Sequence, residues 1–203
     1  MWRKHNIWVF VAAVVFVPIS VFGFVKLLEN RYQPLPVLGP KDHVISNFSF
    51  TNQEGKTISL SDWKGNIVVA NFFFTHCPSI CPKMTKNLQR IQAYSEIDNL
   101  MINSFSVDPE RDSVLKLKAY ADKFNIKGNW SLLTGDKKEL YKLARKSFLI
   151  TATDGDGGPN DFIHSENLVL IDKQGRIRGY YPGTNETAVN NLIRDLKKLE
   201  NEN

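Results

Sequence analysis

Residues 67–82 have the sequence IVVANFFFTHCPSICP, an apolar run followed by a phrase that holds both cysteines of the 203-residue chain. The run Ile67–Phe74 is continuous rather than alternating, which is typical of a strand buried on both faces. Pro78 suits the first turn of a following helix, where the missing N–H costs nothing. A strand that delivers Cys77 and Cys81 to a helix N-terminus suits thiol chemistry or the binding of a soft metal ion.

The rest of the chain predicts strands that alternate with helices. Two alternating runs within Ile45–Leu60 flank a polar turn and predict a hairpin. The later predicted elements are a strand at 67–74, a helix through 84–94, a strand at 101–107, a helix at 115–124, a strand at 130–133, a helix at 137–148, a hairpin of 168–171 and 176–181, and a closing helix through 189–199. This order predicts an α/β fold, a three-layer sandwich with a mixed sheet.

The segment before the hairpin predicts a membrane anchor. Ile7–Val25 contains 19 consecutive uncharged residues, which as a helix would span roughly 28 Å, close to a bilayer core. A cleaved signal peptide is the rival interpretation, but its apolar region is usually shorter, and Phe22–Lys26 makes a poor cleavage site. Arg3 and Lys4 precede the span, so we expect the rest of the chain on the outer side of the membrane.

These patterns divide the chain into three parts. We expect an anchor at 1–28, a stiff tether at 29–42 that contains three prolines and a glycine, and a globular domain at 43–203. A hydrophobic content of 42% is enough for a real core, so the two cysteines are not needed as a staple. The net charge of +5 is spread along the chain without a basic block among aromatics, and nucleic-acid binding is not expected.

The spacing of the cysteines leaves three uses open. Residues at i and i+4 share one face of a helix, and the N–H groups at its N-terminus should lower the pKa of both thiols. Pro82 could delay the regular helix and leave the segment between the cysteines as a loop. The pair could form a structural disulfide, act as a dithiol–disulfide oxidoreductase, or bind a soft ion such as Cu(I). A structural zinc site would need four ligands, and the chain has only two cysteines.

Three separated motifs carry a family resemblance. They are Thr75–Pro82 after the strand, Val107–Asp112, and Phe162–Ser165 before a later strand. Together they resemble the Sco/SenC family of membrane-anchored, thioredoxin-fold copper chaperones that assist cytochrome c oxidase assembly. The resemblance covers about residues 44–200, and it implies a thioredoxin-like sandwich with an N-terminal β-hairpin, preceded by one transmembrane helix.

The resemblance also implies a site and partners. Copper, as Cu(I) or Cu(II), would be held by Cys77, Cys81 and His164. The chain would deliver it by ligand exchange to the binuclear copper centre in the copper-bearing subunit of cytochrome c oxidase, after loading by a copper donor protein. The location would be the inner membrane, with a single pass and the domain on the periplasmic or intermembrane-space side. Many members have Asp where this chain has Ser79.

The alternative function uses the same dithiol. Cys77 and Cys81 would be redox active and keep the cysteines of the oxidase copper site reduced. A thioredoxin fold ordinarily places a cis-proline before a late strand, and the residues in that place, 164–167, contain no proline. That departure ranks disulfide exchange below metal binding.

Three further side chains are candidates for the surroundings of the metal. His76 adjoins Cys77, although a surface histidine is the simpler interpretation. Asp108 and Asp112 could form a charged rim or a docking surface. Alternatively, Asp112 could cap the next helix, or the acidic group could form an internal ion pair with Arg111.

Overall fold

The structure is a computed structural model that describes residues 2–94, 97–150, 163 and 165–202, without the side chains of 2–8 and 28–32. His164 and the predicted loop at 151–161 therefore lie outside the described residues. The chain divides into two compact units, Met1–Pro34 and Leu35–Asn203.

The first unit is a single helix, α1, at Trp2–Tyr32. Within it, Val9–Leu27 has a mean hydropathy of 2.3 and no buried residues. Of the helices in the described part of the chain, only this one is long and apolar enough to cross a membrane, a test that a signal sequence also passes. The helix is compatible with the predicted transmembrane span, although it continues past residue 28.

The second unit alternates strands and helices as the sequence predicts. Its elements are β1 Ser49–Asn52, β2 Thr57–Ser59, β3 Ile67–Phe73, α2 Ile80–Gln92, β4 Leu100–Ser106, α3 Val114–Lys123, β5 Trp130–Thr134, α4 Lys137–Lys142, β6 Asn167–Ile171, β7 Ile177–Pro182 and α5 Glu186–Glu200. A short 3₁₀ helix, Leu60–Trp63, lies between β2 and β3.

The described strands form one mixed sheet in the order β2-β1-β5-β4-β3-β6-β7. β3 is parallel to β4, and β4 is parallel to β5, while the other neighbours are antiparallel. Every residue of β3 is buried. The predicted hairpins are β1–β2 and β6–β7, and they form the two edges of the sheet.

Alternate residues of β3 enter two separate cores. Val69 and Phe73 pack with α2, α3 and α5 on one face, whereas Val68 and Phe72 pack with the α4 region on the other. Full burial of one such side chain is worth about 1.5–3 kcal/mol. The predicted three-layer, thioredoxin-like sandwich is confirmed, and β3 is the central strand that leads to the cysteines.

The predicted helix at 137–148 differs in its second half, which is a π-helical turn at Leu143–Ser147. The Phe148 N–H donates to the Leu143 carbonyl at 3.0 Å, five residues back. The wider turn places the Phe148 ring against Phe72 and Phe105, with centroids 5.2 and 5.4 Å apart. Packing of this aromatic cluster therefore accompanies the departure from α-helical geometry.

The predicted boundaries at 28 and 42 stay predictions, but part of the proposed tether contacts the domain. The Leu38 N–H donates to the Ile177 carbonyl at 2.8 Å, and Arg178 Nε donates to the Pro36 carbonyl at 3.1 Å. Arg178 also donates to the Leu35 carbonyl. From Leu35 onward the chain is thus held against the β6–β7 hairpin.

Candidate metal centre

The two cysteines lie where β3 leads into α2. The strand ends at Phe73, the chain turns, and α2 begins at Ile80 with Ser79 as its N-cap residue. Cys81 and Pro82 are both in the first helical turn, where backbone N–H groups have no partner inside the helix, so Pro82 does not delay the helix. Pro78 precedes the helix instead of lying in its first turn.

The thiols of Cys77 and Cys81 face one another across this junction. Both are free, and the Cys81 N–H donates a hydrogen bond to Cys77 Sγ at 3.4 Å. Cys77 is partly buried, whereas Cys81 is only 4% exposed and belongs to the core beneath α2. The pair therefore has one accessible and one enclosed sulfur.

Their pKa values move in opposite directions, which corrects the expectation that both would fall. Partial burial opposes ionisation of Cys77, but hydrogen bonds from the backbone of Cys81, Ser79 and Ile80 outweigh it and lower its pKa. Burial raises the pKa of Cys81 to about 12, and the nearby Cys77 and Asp112 add to the rise. Backbone N–H groups around the helix N-terminus thus lower the pKa of Cys77, while loss of solvation raises the pKa of Cys81.

Asp112 connects the ends of two strands beside the dithiol. Its carboxylate accepts hydrogen bonds from the Thr75 N–H at 3.1 Å, the Thr75 hydroxyl at 2.5 Å and the Ser106 hydroxyl at 2.6 Å. Asp112 is fully buried. The suggested cap at Asp112 is wrong, because Ser113 is the cap of α3. The suggested ion pair with Arg111 is present, and its partner is Asp108.

The side chains of His76 and Asp108 contact one another next to Cys77. His76 Nε2 lies 3.5 Å from Asp108 Oδ2 and 3.2 Å from Arg111 Nη1, and its ring packs against Phe74 with centroids 4.8 Å apart. Asp108 is largely buried, and the Arg111 side chain is 72% exposed. The structure thus brings His76 and Asp108 together through their side chains, in a contact that does not include the Asp112 carboxylate.

Sequence reasoning missed two sets of contacts near the cysteines, those of Thr75 and Ser106 with the Asp112 carboxylate and those of Thr85 with Cys81 and Tyr120. The Thr85 hydroxyl donates to the Cys81 carbonyl at 2.8 Å and lies 2.9 Å from the Tyr120 hydroxyl. The spacing of Cys81 and Thr85 by four residues was the available signal, since such residues share a helix face. No sequence signal pointed to Ser106 and Thr75, because the parallel pairing of β3 with β4 is what brings both residues to the Asp112 carboxylate.

The described residues supply two of the three predicted copper ligands. Two thiolates are a donor pair that soft ions such as Cu(I) prefer. Outside the gaps at 95–96, 151–162 and 164, no group of three or more His, Cys, Asp and Glu side chains is placed to hold a metal ion. The donor chemistry of Cys77 and Cys81 therefore fits copper, and the third predicted ligand, His164, lies outside the described residues.

The fold and the junction together define a class: a thioredoxin-like domain that carries a dithiol between its central strand and the following helix. Residues 37–201 of this chain match the SCO1/SenC family. The chain belongs to the SCO1/SenC family.

Relatives and solved structures agree with that assignment. The chain is 34% identical to the SCO1 protein homolog of Bacillus subtilis over 162 residues, which are 78% of this chain and 83% of the relative. It is similar to BsSco, a member of the Sco family of cytochrome c oxidase assembly proteins in which a disulfide switch was identified. The two chains are 30% identical with a TM-score of 0.67, and the match covers 84% of this chain and 100% of BsSco. It is also similar to copper-bound ScoI of Bradyrhizobium japonicum, with 27% identity and a TM-score of 0.57. That match covers 74% of this chain and 98% of ScoI.

Proposed function

We propose that this protein is a membrane-anchored copper chaperone that binds copper through Cys77, Cys81 and His164 and serves the assembly of cytochrome c oxidase. The observation that carries the proposal is the pair of adjacent thiols at the β3–α2 junction of a SCO1/SenC domain, linked by the Cys81 N–H to Cys77 Sγ contact of 3.4 Å. Copper-bound ScoI of Bradyrhizobium japonicum, a relative with the same fold, supports copper as the cargo.

The direction of β6 supports His164 as the third ligand. β6 runs antiparallel to β3, with Val68 opposite Ile171 and Ala70 opposite Val169. The chain that enters β6 at Asn167 therefore arrives at the edge of the sheet where β3 ends and the dithiol begins. His164 precedes Asn167 by only three positions. Imidazole beside two thiolates gives a donor set acceptable to both Cu(I) and Cu(II).

Copper would leave the site by ligand exchange. Cys77 is the more exposed sulfur and has the lower pKa, so an incoming thiolate or imidazole of the target can approach the ion on that side. Cys81, enclosed under α2, would hold the ion until the new bonds form. The recipient would be the binuclear copper centre in the copper-bearing oxidase subunit, and a separate donor protein would load the site.

The anchor would hold the domain at the inner membrane. The apolar part of α1 is long enough for one crossing. Arg3 and Lys4 precede it, which favours a cytoplasmic or matrix-side tail and a domain on the periplasmic or intermembrane-space side. The recipient copper centre would then be on the same side as the domain.

The asymmetry of the two thiols favours a second candidate function, reduction of a disulfide in the oxidase copper site. The Cys77 thiolate would attack the target disulfide, form a mixed disulfide and release one target thiolate. Cys81 would then attack Cys77 Sγ, close the Cys77–Cys81 disulfide and release the second target thiol. Two electrons and two protons pass from the dithiol to the target.

An anaerobic titration of the reduced, full-length chain tests the proposed function. We expect one copper ion per chain, bound tightly enough to compete with a chelator, and loss of that binding in Cys77→Ser and in Cys81→Ser. A chain that reduces a model disulfide but does not retain copper would support the second candidate and contradict the first.

A further inference from the structure

We propose that Asp112 is a positioning residue of the dithiol site, and that its buried negative charge biases copper held at Cys77 and Cys81 toward Cu(II) over Cu(I). The inference rests on the proposed copper function, but one arm of its test needs no copper.

The geometry gives Asp112 control of the turn that carries Cys77. Both oxygens are engaged by Thr75, which lies two residues before Cys77, and one oxygen also accepts from Ser106 at the end of β4. The Asp112 N–H in turn donates to the Asp108 carbonyl at 2.8 Å. One carboxylate thereby joins the end of β3, the end of β4 and the start of α3.

The charge of Asp112 is not balanced by a cation in the described part of the chain, where none of the ion pairs includes it. Its partners are neutral donors, the Thr75 N–H and two hydroxyls. Asp108 is the useful contrast, since it is also largely buried but lies 3.6 Å from the Arg111 guanidinium. A buried carboxylate without a cation is costly for folding, so a functional reason for it is worth testing.

The field of Asp112 reaches the dithiol. Burial raises the pKa of Cys81 first of all, and Asp112 contributes to the rise through its charge. Burial likewise raises the pKa of Tyr120 to about 12, and the charges of Cys81, Cys77 and Asp112 add to it. These shifts support the geometric argument that the Asp112 carboxylate and the enclosed Cys81 sulfur share one poorly solvated region.

The charge count gives the direction of the effect. Two thiolates with Cu(I) carry a net charge of −1, whereas two thiolates with Cu(II) carry none. A fixed negative charge nearby repels the first state and leaves the second nearly unaffected. For unit charges about 10 Å apart at an effective dielectric constant of about 20, the difference is roughly tenfold in the ratio of the two affinities.

Asp112→Asn separates charge from shape. The retained oxygen can accept from the Thr75 N–H and the Ser106 hydroxyl, while the new amide can donate to the Thr75 hydroxyl after that hydroxyl rotates. Ser106→Ala is the matched control, because it removes one contact of Asp112 and the acceptor of the Asp108 N–H but keeps the charge of Asp112. Asp122→Asn is a control for charge alone, since Asp122 is exposed and pairs with Lys118 at 3.3 Å.

The measurement is the ratio of Cu(II) to Cu(I) affinity of the full-length chain in detergent, obtained with a competing chelator for each ion. We expect Asp112→Asn to lower this ratio roughly tenfold, while Ser106→Ala and Asp122→Asn leave it within about twofold of the wild type. A ratio unchanged in Asp112→Asn, or changed equally in Ser106→Ala, would overturn the charge-based role.

The metal-free arm uses equilibration with glutathione at pH 8. Two glutathione thiols give two electrons and two protons to the Cys77–Cys81 disulfide, yielding the dithiol and one glutathione disulfide. Because the reduced site carries more negative charge than the disulfide, Asp112→Asn should favour the reduced form. If wild-type protein binds neither copper ion, the proposed function fails, and this equilibrium alone decides the role of Asp112: no shift would refute it.

Discussion

The backbone N–H of Cys81 donates to Cys77 Sγ at 3.4 Å, so the enclosed cysteine stabilises negative charge on the accessible one. The two thiols of the dithiol are consequently unequal partners. Cys77 has a lowered pKa at the start of a helix, and Cys81 is buried beneath that helix with a raised pKa. Both candidate functions use this inequality, one for copper exchange and one for electron transfer.

Alkylation should distinguish the two thiols. In the reduced, metal-free chain, the reaction of Cys77 with iodoacetamide should rise with pH and reach half of its maximum rate below pH 9, since its pKa lies below the ordinary 9.0. Cys81 should stay protonated and slow until the pH approaches about 12. Peptide mass spectrometry after timed quenching measures both rates. Equal rates at pH 8 would contradict the asymmetry.

Replacement of Arg178 should destabilise the domain. Its side chain is 3% exposed, and Nη1 lies 3.0 Å from Asp172, which is also buried. Arg178→Met leaves Arg176 as the one cation paired with Asp172 among the described residues, and it also removes the cation that pairs with Glu202. We therefore expect a loss of about 3 kcal/mol in the free energy of unfolding. Urea unfolding followed by near-ultraviolet circular dichroism provides the value.

Arg176→Met is the control for that prediction. Arg176 also contacts Asp172, at 2.7 Å, but its side chain is 39% exposed. The expected loss is at most about 1 kcal/mol. Similar losses for the two variants would show that burial of Arg178 does not set its contribution.

The first helix should stay attached to the chain in the membrane. We expect the protein to resist extraction of membranes by alkaline carbonate and to retain the mass of the uncleaved sequence. A variant that lacks residues 1–28 should be released into the soluble fraction. Recovery of a processed, soluble wild-type protein would favour the signal-peptide interpretation of Ile7–Val25.

The sequence predicted a strand or hairpin well where the pattern of apolar residues within that segment alone indicates it. The continuous apolar run at 67–74 became β3, and the alternation around Phe50 became the first hairpin. The π-helical turn at Leu143–Ser147 was not predictable, because it accompanies the packing of Phe148 against residues distant in sequence.

The residue types of the site could be predicted from the sequence, but the pKa shifts of the cysteines and the contacts of Asp112 could not. The four-residue spacing of the cysteines predicted a shared helix face, which is wrong because Cys77 precedes α2 and only Cys81 lies within it. The structure nevertheless brings the two together through the Cys81 N–H, which reaches Cys77 Sγ. The opposite pKa shifts depend on how deeply α2 buries Cys81 against the sheet, which no local pattern encodes. Asp112 was proposed as a cap because it precedes α3, but the parallel pairing of β3 and β4 brings Thr75 and Ser106 to its carboxylate instead.

The most direct test of the central claim is a copper titration of the reduced, full-length His164→Ala variant, with His76→Ala as the matched histidine control. His76 already contacts Asp108 and Arg111, so its removal should change the Cu(II) affinity less than about tenfold. Loss of a ligand should weaken Cu(II) binding more than about hundredfold in His164→Ala, beyond the usual effect of a residue outside the ligand set. Unchanged affinity in His164→Ala would contradict the three-ligand copper site.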